Sequence, residues 1–344
     1  GKMTGVFIDA AMDFIQVPKP TKLTSIQGLK DAQQIAFSYG LTTVDDAGLD
    51  QSTVELIDSL QQENELKIRI YAMISATQKN LDYYINKGII KTDRLHVRSF
   101  KIYGDGALGS RGAAMRKSYS DRSNHFGALI YTPERYREMA KQIAASEYQM
   151  NTHAIGDSAN TWILKTYKKF LQGKTNKRWR IEHAQIIAPE DFTLFENVIP
   201  SIQPTHATSD MYWAQDRIGK ERMKGAYAYK DLLEVYGKVA LGTDFPVEQV
   251  NPFLTFYAAA VRKDTDGYPD GGFQIENRLS REETLKGMTI WAAYSNFEEN
   301  EKGSIEVGKL ADFTILDQNI MTVDAVKIPK TKAIATYVNG EKVY

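Results

Sequence analysis

Three histidines and one aspartate each follow a short apolar run in the 344-residue sequence, namely His153, His183, His206 and Asp244. Histidine nitrogens and carboxylate oxygens are common ligands of zinc in catalytic sites. Neighbouring parallel strands lie about 4.8 Å apart, so two imidazoles at equal height on adjacent strands can share one ion. We therefore expect His153, His183 and Asp244 to bind a metal, although Asp244 alone is also compatible with a helix cap.

Lys101 lies near the end of another apolar run, where an inward-facing lysine is unusual. Either its ammonium group pairs with Asp105 or Glu182, or burial lowers its pKa and leaves a neutral, nucleophilic amine. Such an amine can take up carbon dioxide to become a carbamate that bridges two metal ions. His96, five residues earlier, is expected on the opposite face of the strand, away from the site. His125 lies in a polar loop, and neither histidine is assigned a metal.

Strand-like and helical runs alternate along the chain and would position these residues. The strand-like runs cover 40–48, 66–74, 95–104, 148–156, 178–186, 198–206 and 237–245. The helical patterns cover 25–39, 52–63, 77–87, 133–146, 157–172, 188–196 and 219–235, followed by 252–263 and 280–295. This alternation indicates an α/β fold with a parallel sheet. In a TIM barrel the site lies at the carboxyl ends of the strands, where the residues above fall.

Seven strands are one fewer than a closed (β/α)₈ barrel requires. A doubly wound sheet would normally carry a glycine-rich phosphate turn after an early strand. The glycine-rich segment GDGALGSRG at 104–112 matches neither GxGxxG nor a P-loop, and we expect a mobile loop over a pocket there. The sequence thus favours a TIM-barrel type of fold that lacks one strand.

Composition narrows the classes of partner. The chain has 42% hydrophobic residues and equal numbers of basic and acidic residues, 43 of each. This neutrality argues against nucleic acid or a membrane surface as partner. The absence of cysteine excludes disulfides, thiolate metal sites and a cysteine nucleophile. We expect a small-molecule substrate and leave a homo-oligomer open, as well as the choice between cytoplasm and periplasm.

The last segment, from about residue 301, changes character. Short alternating strands with glycine and Asn-Gly turns indicate a small β unit outside the barrel. We therefore divide the chain into an incomplete barrel domain at 1–300 and the C-terminal part of a small β-sandwich at 301–344. A unit of this size rarely folds alone.

Several motifs together resemble the metal-dependent amidohydrolase superfamily. The resemblance rests on FKIYGDGALGSRGAAM, THAIGDSAN, RIEHAQ, SIQPTHATSDMYW and LGTDFPVE. It is strongest to the amidohydrolase family 3 branch, which includes N-substituted formamide deformylases. The tail KGSIEVGKLADFTILD is similar to the superfamily's return to its β-sandwich. The resemblance covers essentially the whole chain and implies hydrolysis of a C–N bond of amide or formamide type.

The resemblance also implies roles for individual residues. Lys101 matches a carbamate-forming lysine, His153 and His183 match metal ligands, and Asp244 matches an aspartate that touches the metal. The cofactor it implies is zinc or a similar divalent ion, one or two per complete enzyme. The metal would lower the pKa of a water and polarise the scissile carbonyl. Asp244, as general base, would take the water's proton and pass it to the leaving nitrogen.

We also expect two further residues, His206 and Asp210, to face the substrate. Tyr212 and Trp213 would belong to the pocket wall and suggest an apolar or aromatic substituent.

One hallmark of the superfamily, a His-x-His pair at the end of the first barrel strand, is absent from this sequence. The missing hallmark and the missing strand coincide, so we expect the chain to be a C-terminal portion of a longer enzyme that lacks the first strand. In this chain alone we expect weak or absent metal, no carbamate and little activity.

Two other functions remain open from the sequence. A catalytically inactive barrel with a binding or structural role would pair its strand-end residues internally, for example Lys101 with Glu182. A glycosidase would use Glu182 and Asp244 as its two carboxylates, separated by roughly 5–9.5 Å. That second function leaves the histidines and Lys101 without a role.

Overall fold

Seven parallel strands form the central sheet of the computed structural model, which describes residues 5–7, 9–18 and 20–344. The strands follow one another in the order β1-β2-β4-β5-β6-β7-β8, while β3 pairs antiparallel with β4. Their bounds are β1 Thr43–Leu49, β2 Arg69–Ser75, β3 Ile90–Lys91, β4 Leu95–Tyr103, β5 Gln149–Ala154, β6 Arg180–His183, β7 Ile199–Ile202 and β8 Ala240–Leu241. This sequential order is that of a TIM barrel.

Helices separate most of the strands. They are α1 Lys22–Ser38, α2 Gln51–Gln62, α3 Gln78–Lys87, α4 Pro133–Ala145, α5 Asp157–Leu171, α6 Pro204–Asp210, α7 Ala214–Arg222, α8 Tyr229–Tyr236, α9 Pro252–Val261, α10 Arg281–Met288 and α11 Ile290–Ser295. Short 3₁₀ helices occupy Asp9–Phe14, Thr175–Lys177, Pro189–Asn197, Met223–Gly225, Ile275–Asn277 and Ala325–Lys330. Several α-helices begin at a side chain that accepts a backbone N–H, as Thr77 and Thr132 do for α3 and α4. No helix in the described ranges is long and apolar enough to cross a membrane.

The expected α/β architecture is confirmed, with three corrections to its elements. The run 198–206 ends as a strand at Ile202, because Pro204 begins helix α6. The helix expected at 188–196 is a 3₁₀ helix. The helix expected at 219–235 is divided between the end of α7 and α8, since a 3₁₀ turn at Met223–Gly225 and the left-handed backbone of Tyr227 separate them.

The sheet curls, because residues on distant strands meet in its interior. Arg180 on β6 donates to Asp45 on β1 at 3.0 Å, although three strands, β2, β4 and β5, lie between β1 and β6 in the sheet order. The same guanidinium donates to Glu182 at 2.9 Å and to Ser295 and Asn296 at 3.1 Å. In the described part of the chain no strand joins β8 to β1, which agrees with the expectation of one strand fewer than a closed barrel.

His96 occupies the interior face of β4, and the expectation that it lies on the face opposite to Lys101 is wrong. In the pairing of β4 with β2, consecutive β2 residues face Val97 and Ser99, so Arg98 is an extra residue. Such a β-bulge reverses the alternation of side chains beyond it. His96 and Lys101 therefore share a face, although they lie at opposite ends of the strand. His96 thus lies away from the site, as expected, but on the same face of the strand as Lys101, which was not expected.

Glu298 is the centre of a charged group at the amino-terminal end of the barrel. Its carboxylate contacts the ring Nδ1 of His96 at 3.1 Å and the ammonium of Lys302 at 2.5 Å, and it also pairs with Lys91. Burial acts to raise the pKa of Glu298, but these partners outweigh it and hold the pKa well below its usual range. Burial lowers the pKa of His96, so this ring is kept neutral.

The Glu298 group predicts a pH-dependent contribution to stability. Because the folded-state pKa lies below the unfolded value of about 4.3, the unfolded chain binds the proton more readily. The contribution is therefore complete above that value and disappears as the pH falls through the folded-state pKa. At neutral pH we expect Glu298→Gln to lower the free energy of unfolding by about 1–3 kcal/mol. Urea unfolding of both proteins at decreasing pH should show this difference shrinking; a constant difference would contradict the assignment.

A second, antiparallel sheet follows the barrel in the order β11-β10-β9. Its strands are β9 Phe313–Leu316, β10 Ala333–Val338 and β11 Glu341–Lys342. Thr336 and Thr314 donate to the carbonyls of Phe37 and Gly40 at 2.7 Å each, which joins this sheet to the end of α1. The expected C-terminal β unit is present, while its assignment to a β-sandwich and the boundary at residue 301 stay predictions.

Candidate metal centre

Three potential metal ligands converge at the carboxyl ends of β6, β7 and β8. His183 is the last residue of β6, His206 lies in α6 just after β7, and Asp244 follows β8. Each offers one ligand atom, and these atoms lie within 4.8 Å of one another. Two of them, His183 and Asp244, were expected to bind a metal, whereas His206 was expected to face the substrate.

The backbone at two of these residues is strained. His183 and Asp244 have φ values of 75° and 60°, in the left-handed region that non-glycine residues rarely adopt. Each such residue costs on the order of 1–3 kcal/mol, and such costs concentrate at functional sites. The surrounding fold therefore imposes the orientation of both side chains.

His153 lies beside this group. In the pairing of β5 with β6, His153 lies beside Glu182 and Ala154 lies beside His183. The two histidines are therefore offset by one residue along the strands and are not at equal height as expected. Their rings nevertheless meet edge to face, with centroids 4.5 Å apart. The Nε2 atom of His153 lies 3.5 Å from Oδ1 of Asp105.

Asp105 anchors the loop after β4. Its carboxylate accepts the backbone N–H groups of Ala114, Ile155 and Gly156 at 2.9–3.0 Å. A Cβ at Gly156 would lie 2.1 Å from the carbonyl oxygen of Ala114, so only glycine allows this approach. The glycine-rich segment 104–112 is therefore fixed at Asp105 to the exit of β5, and at that point it is not the free loop expected from its glycines.

Lys101 is buried, with 6% of its surface exposed, at the carboxyl end of β4. Burial lowers the pKa of its ammonium group. Neither expected partner is available, because Asp105 binds backbone amides and Glu182 accepts from Arg180. Within the described ranges no carboxylate forms an ion pair with Lys101, although the charges of Glu182 and Asp244 oppose the effect of burial on its pKa.

Burial also determines the protonation of two histidines. It lowers the pKa of His153 to about 3 and that of His183 well below the usual value, with Lys101 adding to both shifts. At neutral pH these imidazoles are uncharged, which is the form that binds metals. His153 Nε2 and His183 Nδ1 are buried and have no hydrogen-bond partner. Buried nitrogens without a hydrogen-bond partner can bind a divalent cation, so these side chains fit a metal site.

His206 differs from its neighbours. Burial acts against its charged form, but Asp244 and Glu248 accept from its ring nitrogens and raise the pKa of His206 to about 9. The Nε2 atom lies 3.4 Å from Oδ2 of Asp244, and Nδ1 lies 3.0 Å from Oε1 of Glu248. Glu248 was not predicted from the sequence; its position four residues after Asp244, in the same turn, was the available signal.

Asp210 is held in place by two residues that the sequence analysis also missed. Tyr227 donates its hydroxyl and Gln185 its amide to the same carboxylate oxygen, at 2.8 and 3.0 Å. Burial raises the pKa of Asp210. Its expected contact with substrate stays a prediction.

An aromatic pair lies in the loops near this end of the barrel. The rings of Tyr212 and Tyr268 stack with centroids 5.6 Å apart at an angle of 13°, and both are largely exposed. Trp213, expected in the pocket wall, lies near the loop after β4, where it would contact a Cβ at Gly109. Its place in a pocket wall stays a prediction.

Comparison with known proteins relates this geometry to a family. A sequence profile described as "Amidohydrolase family" matches residues 7–344. Protein LONG AFTER FAR-RED 3 of Arabidopsis thaliana is 31% identical over all of this chain and 62% of its own length. The N-substituted formamide deformylase of Arthrobacter pascens is 23% identical over 70% of this chain and 44% of its own length.

A solved structure supports the same relationship. An uncharacterized metal-dependent hydrolase from Pyrococcus horikoshii superimposes with a TM-score of 0.81 and 26% identity. The match covers 92% of this chain and 64% of the other. The chain thus spans less than two thirds of the length of these relatives.

Proposed function

Because the chain belongs to the amidohydrolase family, we propose that it carries most of the site of a metal-dependent hydrolase that cleaves C–N bonds of amide or formamide type. The observation that carries this proposal is the convergence of His183, His206 and Asp244 within 4.8 Å at one end of the barrel. The relatives are longer than the chain, so the activity is proposed for the protein in which these residues occur.

A zinc-like divalent cation fits this donor set. We propose His183 and Asp244 as ligands, with His153 and Lys101 at the side of the site. When bound, the cation would acidify a water and polarise the substrate carbonyl. His206, which was expected to face the substrate, lies close enough to contribute a ligand instead, provided that it releases the proton on the nitrogen facing Asp244.

We propose a separate role for each of three residues: proton transfer, carbamate formation and substrate binding. Asp244 presents a carboxylate that is partly exposed and suited to accept a proton from a water and return it to the leaving nitrogen. Lys101, without a carboxylate partner, is suited to form a carbamate: the neutral amine adds to carbon dioxide and releases one proton. Asp210, fixed by Tyr227 and Gln185, is positioned to bind a substrate N–H.

The aromatic pair supports a finer proposal about the substrate. Tyr212 and Tyr268 stack on each other, and 60% and 55% of the surface of these residues is exposed. An exposed aromatic pair of this kind can pack against an apolar or aromatic group. We therefore propose an N-substituent of that character.

The contact between Glu182 and Arg180 argues against both alternative functions, the inactive barrel and the glycosidase. An inactive barrel was expected to pair Lys101 with Glu182, and a glycosidase would need Glu182 as a free carboxylate. Glu182 is instead buried and accepts from Arg180 at 2.9 Å. Neither alternative has an observation in its favour.

The proposal is tested by metal binding and metal-dependent hydrolysis. Zinc titration by calorimetry and amine release from N-benzyl formamide are measured on this chain and on any longer natural form that contains it. We expect hydrolysis that chelation abolishes and zinc restores, and zinc binding that His183→Ala removes. His125→Gln, outside the ligand group, is the matched control. Hydrolysis unaffected by chelation, or absence of zinc binding in every form, would refute the proposal.

A further inference from the structure

Glu248 contacts the His206 ring at Nδ1, on the side of the ring away from Asp244. Its Oε1 atom lies 3.0 Å from Nδ1 of His206 and also accepts the hydroxyl of Ser209 at 2.7 Å. Only 18% of the Glu248 side chain and 10% of the His206 side chain are exposed. The contact is thus shielded from competing water.

The turn after β8 places two carboxylates on opposite sides of one imidazole. The backbone N–H of Val247 donates to the carbonyl of Asp244 at 2.8 Å, and that of Glu248 lies 3.4 Å from the same oxygen. This turn brings Asp244 to Nε2 and Glu248 to Nδ1 of His206. Because both carboxylates belong to one hydrogen-bonded turn, rotation of the His206 ring would break a contact with at least one of them.

A carboxylate can only accept a hydrogen bond. Glu248 therefore accepts the proton on Nδ1 of His206 at 3.0 Å, and because the contact of Nε2 with Asp244 is longer, at 3.4 Å, Nδ1 is the nitrogen that keeps its proton when the ring is neutral. Nε2 is then the nitrogen that faces Asp244 and the site. In metalloenzymes, outer carboxylates fix the tautomer and orientation of histidines in this way.

We propose that Glu248 is a positioning residue, which holds the proton of His206 on Nδ1 and directs Nε2 toward Asp244. Ser209 supports it by donating to the same carboxylate oxygen. The consequence for function rests on the hydrolase proposed above, but the positioning itself does not require that activity.

The positioning is tested by nuclear magnetic resonance of the protein labelled with ¹⁵N-histidine, without metal or substrate. His206→Asn assigns the signals of this ring. In the wild type at about pH 10.5, above the pKa of about 9 that the two carboxylates give His206, the ring carries a single proton, and we expect it on Nδ1. Glu248→Ala should shift the proton largely to Nε2, whereas Glu248→Gln, whose amide oxygen still accepts, should retain it on Nδ1. An unchanged His206 signal in Glu248→Ala would overturn the proposal.

A second readout separates this proposal from the proposed function. In a form that binds zinc, we expect Glu248→Ala to weaken zinc binding by roughly 10–100-fold, with partial rescue in Glu248→Gln. Glu221→Ala, which changes an exposed side chain well before Glu248 in the sequence, serves as the control and should have no effect on zinc binding. If the signal of His206 shifts but no form hydrolyses a formamide, the positioning stands and the proposed function fails. If hydrolysis is found but Glu248→Ala leaves the His206 signal and zinc binding unchanged, the positioning fails alone.

Discussion

Asp244→Asn should reduce hydrolysis by roughly 10²–10⁴-fold, the usual contribution of a general base. The substitution keeps the shape of the side chain and removes its ability to take up a proton. Asparagine also tolerates the left-handed conformation that Asp244 adopts, with φ of 60°. The expected loss of rate therefore comes from chemistry and not from unfolding. It is measured as the initial rate of amine release, with the melting temperature as a check on the fold.

A matched control and a second readout make this result specific. Asp324→Asn changes an exposed aspartate in the C-terminal segment and should leave the rate unchanged. In a form that binds zinc but does not hydrolyse, Asp244→Asn should still weaken zinc binding, because a carboxylate ligand is replaced by a poorer one. A rate within a few-fold of the wild type would show that Asp244 is not the base.

The sequence was sufficient to predict most of what positions the site. The alternation of runs yielded seven parallel strands, and reading residues from their ends identified His183 and Asp244, which converge. Short apolar runs followed by polar residues have this meaning only in a parallel sheet, where all carboxyl ends lie on one side. Two members of the group could therefore be named before their distances were known.

Other features could not be predicted, for identifiable reasons. The extra residue Arg98 reverses the alternation of β4, and a bulge leaves no mark in a pattern of apolar residues. His206 was placed at a strand end, but Pro204 starts a helix there and moves it toward Asp244. Glu248 was missed because its role depends on a turn that brings it back to His206.

Arg180→Met should lower the free energy of unfolding by about 3–5 kcal/mol, the usual cost of removing one partner of a buried ion pair. Arg180 is 1% exposed and is the only group that donates to Glu182 among the described contacts. It also donates to Asp45 at 3.0 Å, across the interior of the sheet. Without it, two carboxylates would remain near each other in a poorly solvated interior. Urea unfolding followed by circular dichroism measures the loss.

Two further variants distinguish this explanation from a simple loss of packing. Arg135→Met removes an exposed pair with Glu138 and should cost no more than about 1 kcal/mol. The double variant Arg180→Met, Glu182→Gln removes the carboxylate left without a partner, and should recover part of the stability that Arg180→Met loses. No recovery would mean that the arginine acts by packing against its neighbours. Recovery would mean that Arg180 stabilises the fold by neutralising the buried carboxylate of Glu182.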